Sequence, residues 1–270
     1  MAHSQWTWKG KDGSSGKLLY EPGNWGDILK NLWLTILVSW MREDSPSPLE
    51  GYNDFFAGAP QYPLAEKTRL RFTRIAFPEF YCIKEPYINK RKWPSSASTV
   101  RLLCDVIITL YEKDPIRMEQ WQDVPAVKYF HVDSGWEALS GVIPRAADIN
   151  MVDPYDILAE WREILPCLNG KFGKTTLLIY VYNKSALNKE AFDNYRAFRN
   201  AVVDATQGLA TCFGRIASDP FLPRAHHEMW LLPEKGLADS KEYVPLTERL
   251  AEKTHLLNQA QKRFAEFDFI

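Results

Sequence analysis

Residues 52–64 read YNDFFAGAPQYPL. The first six form a short apolar run with an acid inside it, the composition of a buried strand. The run breaks at Ala57-Gly58-Ala59-Pro60, a turn of small residues that lets a backbone come close to a ligand. Proline closes the turn in place of a second glycine. Gln61-Tyr62-Pro63 should then be extended, because a residue before proline avoids helical angles.

If 52–57 is the first strand of a parallel sheet, further strands should follow with helices between them. Apolar runs ended by turn or acidic residues recur at 105–112 (DVIITLYE), 127–133 (VKYFHVD), 149–154 (INMVDP) and 175–183 (TTLLIYVYN), then at 209–217 (LATCFGRIA) and 228–234 (EMWLLPE). Helical spacing appears over 26–41, 158–168, 189–206 and 246–267. The alternation predicts an α/β domain, a mostly parallel sheet with helices on both faces. The apolar face of the last helix has two destinations: the sheet of its own chain, or a protein partner or second copy in a homodimer.

The 270 residues suffice for one large domain, and 46% hydrophobic with 25% charged residues is an ordinary globular balance. The formal net charge of −1 gives no global attraction to nucleic acid or membrane. The most apolar stretch, 32–41, is far shorter than the roughly 20 residues of a membrane span. Residues 1–17 are polar and lack an apolar core of signal-peptide length. These features predict a cytoplasmic protein with no membrane partner, a loose lead over 1–19 and a domain over 20–270. Cys82, Cys104, Cys167 and Cys212 form no CxxC pair and are expected as reduced thiols. His226-His227-Glu228 lacks the HExxH spacing, so it is expected as a polar strand start and not a metal site.

About forty-five residues separate the first two strands, far more than a crossover needs. An inserted subdomain over about 61–104 is expected. Between 65 and 101 stand nine basic residues (Lys67, Arg69, Arg71, Arg74, Lys84, Lys90, Arg91, Lys92, Arg101) and three acids (Glu66, Glu79, Glu85), a local excess of +6. Phe72, Phe80, Tyr81, Tyr87 and Trp93 are interleaved. Two descriptions fit: an RNA-binding surface, with Lys90, Arg91 and Lys92 on phosphates and Trp93 stacking, or a solvated basic face over an aromatic mini-core.

Four acidic sites fall at or near strand carboxyl ends, where open α/β sheets bind ligands. They are Asp54 beside the Ala57–Ala59 turn, Glu112 ending DVIITLYE, Asp133 before Ser134-Gly135, and Asp153-Pro154-Tyr155. Their order suits a nucleoside-bearing cofactor such as S-adenosylmethionine.

The segments YEPGNWGDILKNLWL, YNDFFAGAPQYPL, WPSSASTVRLL, LYEKDP, HVDSGWEAL and NMVDPYD, in this order from about Tyr20 to Tyr182, resemble the bacterial methyltransferases that modify N6 of one adenine in 23S ribosomal RNA. The resemblance implies a Rossmann-like class I methyltransferase fold with a helical insertion after the first strand, and S-adenosylmethionine as cofactor. It implies that Lys30, Asp54, Ala57, Gly58, Ala59, Glu112, Asp133 and Gly135 bind that cofactor. Asp153, Pro154 and Tyr155 would serve the acceptor amino group. Three positions depart from the family: Pro60 replaces the last glycine of the turn, Glu21-Pro22 replaces a histidine, and Asp156 stands where the family's aromatic follows two prolines. The leading expectation is methyl transfer to a nucleobase nitrogen in RNA. The alternatives are a binding module or complex subunit that keeps the fold without transferring methyl groups, and an enzyme acting on a small molecule or peptide.

Overall fold

A computed structural model describes residues 6–9, 15–18, 22–154, 157–183, 189–207, 209, 211–218 and 225–267. Within the N-terminal lead, β1 (Trp6–Lys9) pairs antiparallel with β2 (Ser15–Leu18). Helix α1 (Trp25–Glu43) precedes the first strand of the main sheet, β3 (Gly51–Asp54). The insertion follows: β4 (Gln61–Pro63), α2 (Glu66–Arg74), α3 (Tyr81–Lys84) and β5 (Lys92–Pro94), with short 3-10 turns between them. Then come α4 (Ser96–Leu103), β6 (Ile107–Glu112), α5 (Pro115–Glu119), β7 (Val127–His131), α6 (Gly135–Gly141) and β8 (Asp148–Val152). The chain continues through α7 (Ile157–Asn169), β9 (Thr176–Asn183), α8 (Lys189–Ala205), β10 (Cys212–Ala217), β11 (His226–Leu232), α9 (Lys235–Ala238) and α10 (Tyr243–Phe267).

Seven strands form one sheet in the order β10-β11-β9-β8-β3-β6-β7. The pairs β3–β6, β3–β8, β6–β7 and β8–β9 are parallel, and β11 runs antiparallel to both β9 and β10. The order reverses at β3, the switch point where such sheets bind ligands. This is the Rossmann-like class I methyltransferase fold, with its one reversed strand second from the edge.

The helices lie on both faces. On one, α1 packs on α4, α10, β10 and β11; on the other, α6, α7 and α8 pack in sequence over β6 and β9. Ile28, Leu32, Trp33 and Ile36 of α1 are fully buried on the first face, and Trp161, Ile164, Phe198 and Trp230 fill the second. The apolar face of α10 is covered within the chain: Leu246, Leu250 and Leu257 are buried in the first core, and Trp33 Nε1 donates to Thr254 Oγ1 at 2.8 Å. Among the described residues no helix is long and apolar enough to cross a membrane.

Several expectations change. The first strand ends at Asp54, whose Oδ1 accepts the Phe56 N–H at 3.2 Å as the chain turns, while the Phe55 and Ala57 N–H groups still reach the Met151 and Tyr111 carbonyls. The 127–133 run is not a buried strand. It is the edge strand β7, with one neighbour, and Tyr129 and Phe130 are exposed on it. The 228–234 run starts two residues earlier, at His226, and is antiparallel. Within the expected 61–104 insertion, α4 belongs to the core as the crossover between β3 and β6, so the inserted part ends at β5. It is helical but closed at its base by the β4–β5 ladder.

Candidate active site

Register decides which side chains meet at the carboxyl edge. Asp54 is level with Leu110 on β6 and with Met151 on β8. Side chains alternate along strands, so residues two positions further share its face. Those residues are Glu112 and Asp153. Val152 is level with Ile179, so Asp153 emerges beside Tyr180 of β9.

Helix α1 brings the cation. Its start is determined locally: Asn24 caps it, accepting the N–H groups of Gly26 at 2.7 Å and Asp27 at 3.1 Å. Asp27 adds a carboxylate in the first turn, favourable to the helix dipole, and accepts the Gly23 N–H at 2.8 Å. One turn on, the buried Lys30 puts Nζ 2.5 Å from Asp153 Oδ2, 3.4 Å from Asp27 Oδ1 and 5.2 Å over the Tyr180 ring. Lys30 thus joins the helix to the end of β8. The Asp153 side chain keeps 20% of its surface exposed.

The small-residue turn closes on Glu112. Gly58 lies at φ +62°, where a Cβ would stand 2.0 Å from Tyr62 Oη, so only glycine fits. Its N–H donates to Glu112 Oε2 at 2.7 Å, and its carbonyl accepts from Trp121 Nε1 at 2.8 Å. Glu112 Oε1 accepts the Asp114 N–H at 2.9 Å, and Tyr62 Oη accepts the Ala59 N–H at 2.9 Å. Pro60 removes a donor but keeps an acceptor. Its carbonyl takes the Ser95 N–H at 3.1 Å and the Ser98 hydroxyl at 2.6 Å, pinning the turn to the start of α4. Gln61–Pro63 is extended, as the prolines imply.

Burial shapes the charges. Desolvation, reinforced by the nearby Asp153, pushes the Asp54 carboxyl up to about 7, against the hydrogen bonds from Phe56 N–H and Tyr52 and the charge of Lys30. Asp153 is raised by burial while Lys30 pulls it back down. Burial also pushes the Tyr52 and Tyr180 hydroxyls well up. His227 is held down at about 3 by burial, with His226 and Lys30 adding to the effect, so its imidazole is neutral. Tyr180 Oη lies 2.6 Å from His227 Nδ1, and His227 Nε2 lies 3.1 Å from Ser218 Oγ.

Of the residues expected at the site, Lys30, Asp54, Ala57, Gly58, Ala59, Glu112 and Asp153 converge on this edge, and Pro154 follows buried. Asp133 is exposed in the loop between β7 and α6, unlike the buried Asp54 and Glu112. Gly135 is turned inward. A Cβ there would stand 2.1 Å from the Phe55 carbonyl, so the start of α6 packs on the chain itself. Tyr155 and Asp156 lie outside the described residues. In the insertion, Lys90 and Arg91 are exposed and Lys92 is half-buried, but Trp93 is not a stacking surface. It is 2% exposed and packs edge-on against Phe72 at 5.3 Å, because β5 turns it into the mini-core with Phe72 and Phe80. Tyr81, at 65% exposure, is the aromatic left outside.

Asp27, Tyr62, Trp121, Tyr180 and His227 join the site although sequence reasoning misses them. Asp27-x-x-Lys30 is a same-face helical spacing that could flag the first. His226-His227-Glu228 does begin a strand, and alternation splits it. His226 and Glu228 face α8, with Glu228 accepting from Tyr195 at 3.0 Å and Trp230 at 2.8 Å, while His227 faces α1.

No protein-family model matches the chain, and no curated protein matches it. Among solved structures, protein LPL1258 from Legionella pneumophila str. Philadelphia 1, assigned to the family model DUF519, superposes with a TM-score of 0.66 at 19% identity, over 87% of this chain and 94% of its own. That likeness is one of fold. The plantazolicin methyltransferase BamL, solved with a triazolic desmethylPZN analog and SAH, overlaps at a TM-score of 0.41 and 9% identity, over 77% of this chain and 85% of its own. Trm5b from Pyrococcus abyssi overlaps at 0.42 and 11%, over 86% of this chain and 56% of its own.

Proposed function

We propose that the chain is an S-adenosylmethionine-dependent methyltransferase acting on nitrogen, with a nucleobase amino group in RNA as acceptor. The observation that carries this reading is the placement of Asp153, held by Lys30, at the carboxyl edge next to Asp54 and the glycine turn over Glu112. The residue types fit the cofactor. Glu112 ends the second parallel strand of the crossover, where a carboxylate can take ribose hydroxyls, and the turn of Ala57, Gly58 and Ala59 offers backbone with almost no side chain. When bound, the cofactor supplies an electrophilic methyl group already activated by its sulfonium.

The protein's part is then positional. Asp153 accepts a hydrogen bond from the acceptor N–H and so aims the nitrogen lone pair. Lys30 fixes the rotamer of that carboxylate. Pro154 and the buried ends of β3 and β8 limit water around it. The exposed Lys90 and Arg91, within the local excess of nine bases over three acids, support RNA as the macromolecule that carries the acceptor.

Calorimetric titration with S-adenosylmethionine and S-adenosylhomocysteine, followed by a methyl-release assay on total RNA, tests the proposal. Binding of both and turnover on RNA are expected. Asp153→Ala should remove nearly all turnover and spare cofactor affinity. Binding with turnover only on a small molecule or peptide would move the acceptor. One observation favours a second reading, a binding module of the same fold without methyl transfer: both oxygens of Glu112 already accept N–H groups of the chain. Absence of cofactor binding at millimolar concentration would decide for it.

A further inference from the structure

Gly26 lies four residues before Lys30, on the same face of α1, and its backbone rests on a side-chain hydrogen bond. A Cβ at Gly26 would stand 2.3 Å from Tyr180 Oη and 2.5 Å from His227 Nδ1. Those two atoms are 2.6 Å apart. Their roles follow from the chemistry. The Tyr180 hydroxyl keeps its proton and donates, because burial raises it well above its ordinary range. A neutral imidazole has one N–H, so with Nδ1 accepting, the proton of His227 is on Nε2 and is donated to Ser218 Oγ at 3.1 Å. The chain Tyr180→His227→Ser218 ties β9, β11 and the end of β10 together and is closed off by α1. One helical turn beyond Gly26, Lys30 Nζ sits over the ring of the same tyrosine and against Asp153.

We propose that Tyr180 and His227 are positioning residues: their hydrogen bond seats the first turn of α1 and thereby sets the height at which Lys30 meets Asp153. The proposal rests on the reading of Asp153 as the acceptor-holding group, and it adds a pair that acts through Lys30. Two features make the seat specific. Gly26 has no side chain to hold it away from the pair, and His227 is held between two partners that determine its tautomer. Removing the Tyr180 hydroxyl leaves Nδ1 buried without a donor, which costs free energy until the ring or the helix end moves. Either movement lengthens the Lys30–Asp153 contact.

The test follows the Lys30 ammonium by NMR in full-length protein labelled with 15N-lysine, the signal assigned by its loss in Lys30→Arg. This measurement needs neither cofactor nor acceptor. Tyr180→Phe and His227→Leu should move the titration of Lys30 downward by about half a pH unit or more, since a weaker ion pair stabilises the ammonium less. His227→Asn places Oδ1 where Nδ1 stood, keeps an acceptor for Tyr180, and should restore most of the wild-type titration. In the RNA assay, Tyr180→Phe should lower kcat by about tenfold or more, the scale of a sub-ångström misplacement, and leave S-adenosylhomocysteine affinity within about twofold. A Lys30 titration in Tyr180→Phe identical to wild type overturns the proposal, as does a folded His227→Asn that shifts as far as His227→Leu. If His227→Leu does not fold, Tyr180→Phe alone decides. If wild type methylates no RNA, the acceptor reading fails while the Lys30 titration still decides the role of the pair.

Discussion

Two buried groups impose opposite pH slopes on stability. The Asp54 carboxyl moves from 3.8 to about 7 on folding, so between those values the folded chain holds a proton that the unfolded chain has released. Its contribution therefore becomes less favourable as pH rises from about 4 to 7. His227 moves from 6.5 to about 3, so in that window the unfolded chain binds the extra proton and stability is lost as pH falls. In the wild type the two effects partly cancel. Asp54→Asn should remove the first, giving a protein whose stability rises more steeply up to about pH 6.5 and exceeds wild type above pH 7. His227→Asn should do the reverse. Urea midpoints measured from pH 4 to 8 check both, and parallel profiles for the two variants would show the assignments to be wrong. At the same scale, Glu112→Ala should weaken S-adenosylmethionine binding by about 1–3 kcal/mol, the effect of leaving buried partners unpaired. Calorimetry reads it, with a melting curve to control for the Gly58 and Asp114 N–H groups that also lose their acceptor.

At the scale of elements, the insertion separates its two properties by depth. Its aromatics Phe72, Phe80 and Trp93 form the mini-core, and its bases remain outside. Trp93→Ala should therefore destabilise the protein by about 3–5 kcal/mol, as large-to-small changes of buried aromatics do, and it should affect RNA binding only through unfolding. Neutralising Lys90, Arg91 and Lys92 should leave stability nearly unchanged and flatten the dependence of RNA affinity on salt, by about one unit of slope for each phosphate no longer neutralised. Arg91 sits at φ +57° and pairs with Glu66 at 3.5 Å. Asn is the substitution of choice there, because it tolerates the left-handed region. An unchanged slope in the triple variant would leave the basic face as a solvated surface over the mini-core.

At the scale of the molecule, the insertion is tied to the tail helix. Glu79, buried in the insertion, lies 3.0 Å from Lys253 and 3.5 Å from Arg249, both on α10. Burial would raise its carboxyl, yet the hydrogen bond and charge of Lys253, with Arg249 beside it, hold it below the ordinary range. A depressed carboxylate stabilises the fold above its unfolded value near 4.5 and loses that contribution as pH falls below it. Glu79→Gln should cost about 1–3 kcal/mol at pH 7 and less at pH 4. The loss should fall short of a fully buried pair because Lys253 can reach water. Faster amide hydrogen exchange in α2 and α10 together would mark the broken tie, whereas exchange confined to α2 would refute it.

The local elements and their class are legible in the chain alone. The turn at Ala57-Gly58-Ala59, the prolines around Gln61-Tyr62 and the apolar runs are short-range physics, and they place the main strands and the four long helices close to their final limits. Glu112 and Asp153 are likewise placed at strand ends, since each follows directly on an apolar run; Asp54 reads as an acid inside the 52–57 run, and only the folded turn after it makes it the end of β3. What those runs do is settled by tertiary packing. The run at 127–133 reads as buried but forms an exposed edge strand, because burial depends on how many neighbours a strand has and not on its own residues. Trp93 reads as a stacking surface and becomes core, because the register of β5 with β4 turns it inward. The joining of Lys30 to Asp153 across 123 positions, and of Tyr180 to His227 beneath Gly26, exists only once α1 is laid across the ends of β8, β9 and β11. No spacing along the chain records such contacts, since they arise from the height at which a helix settles on a sheet.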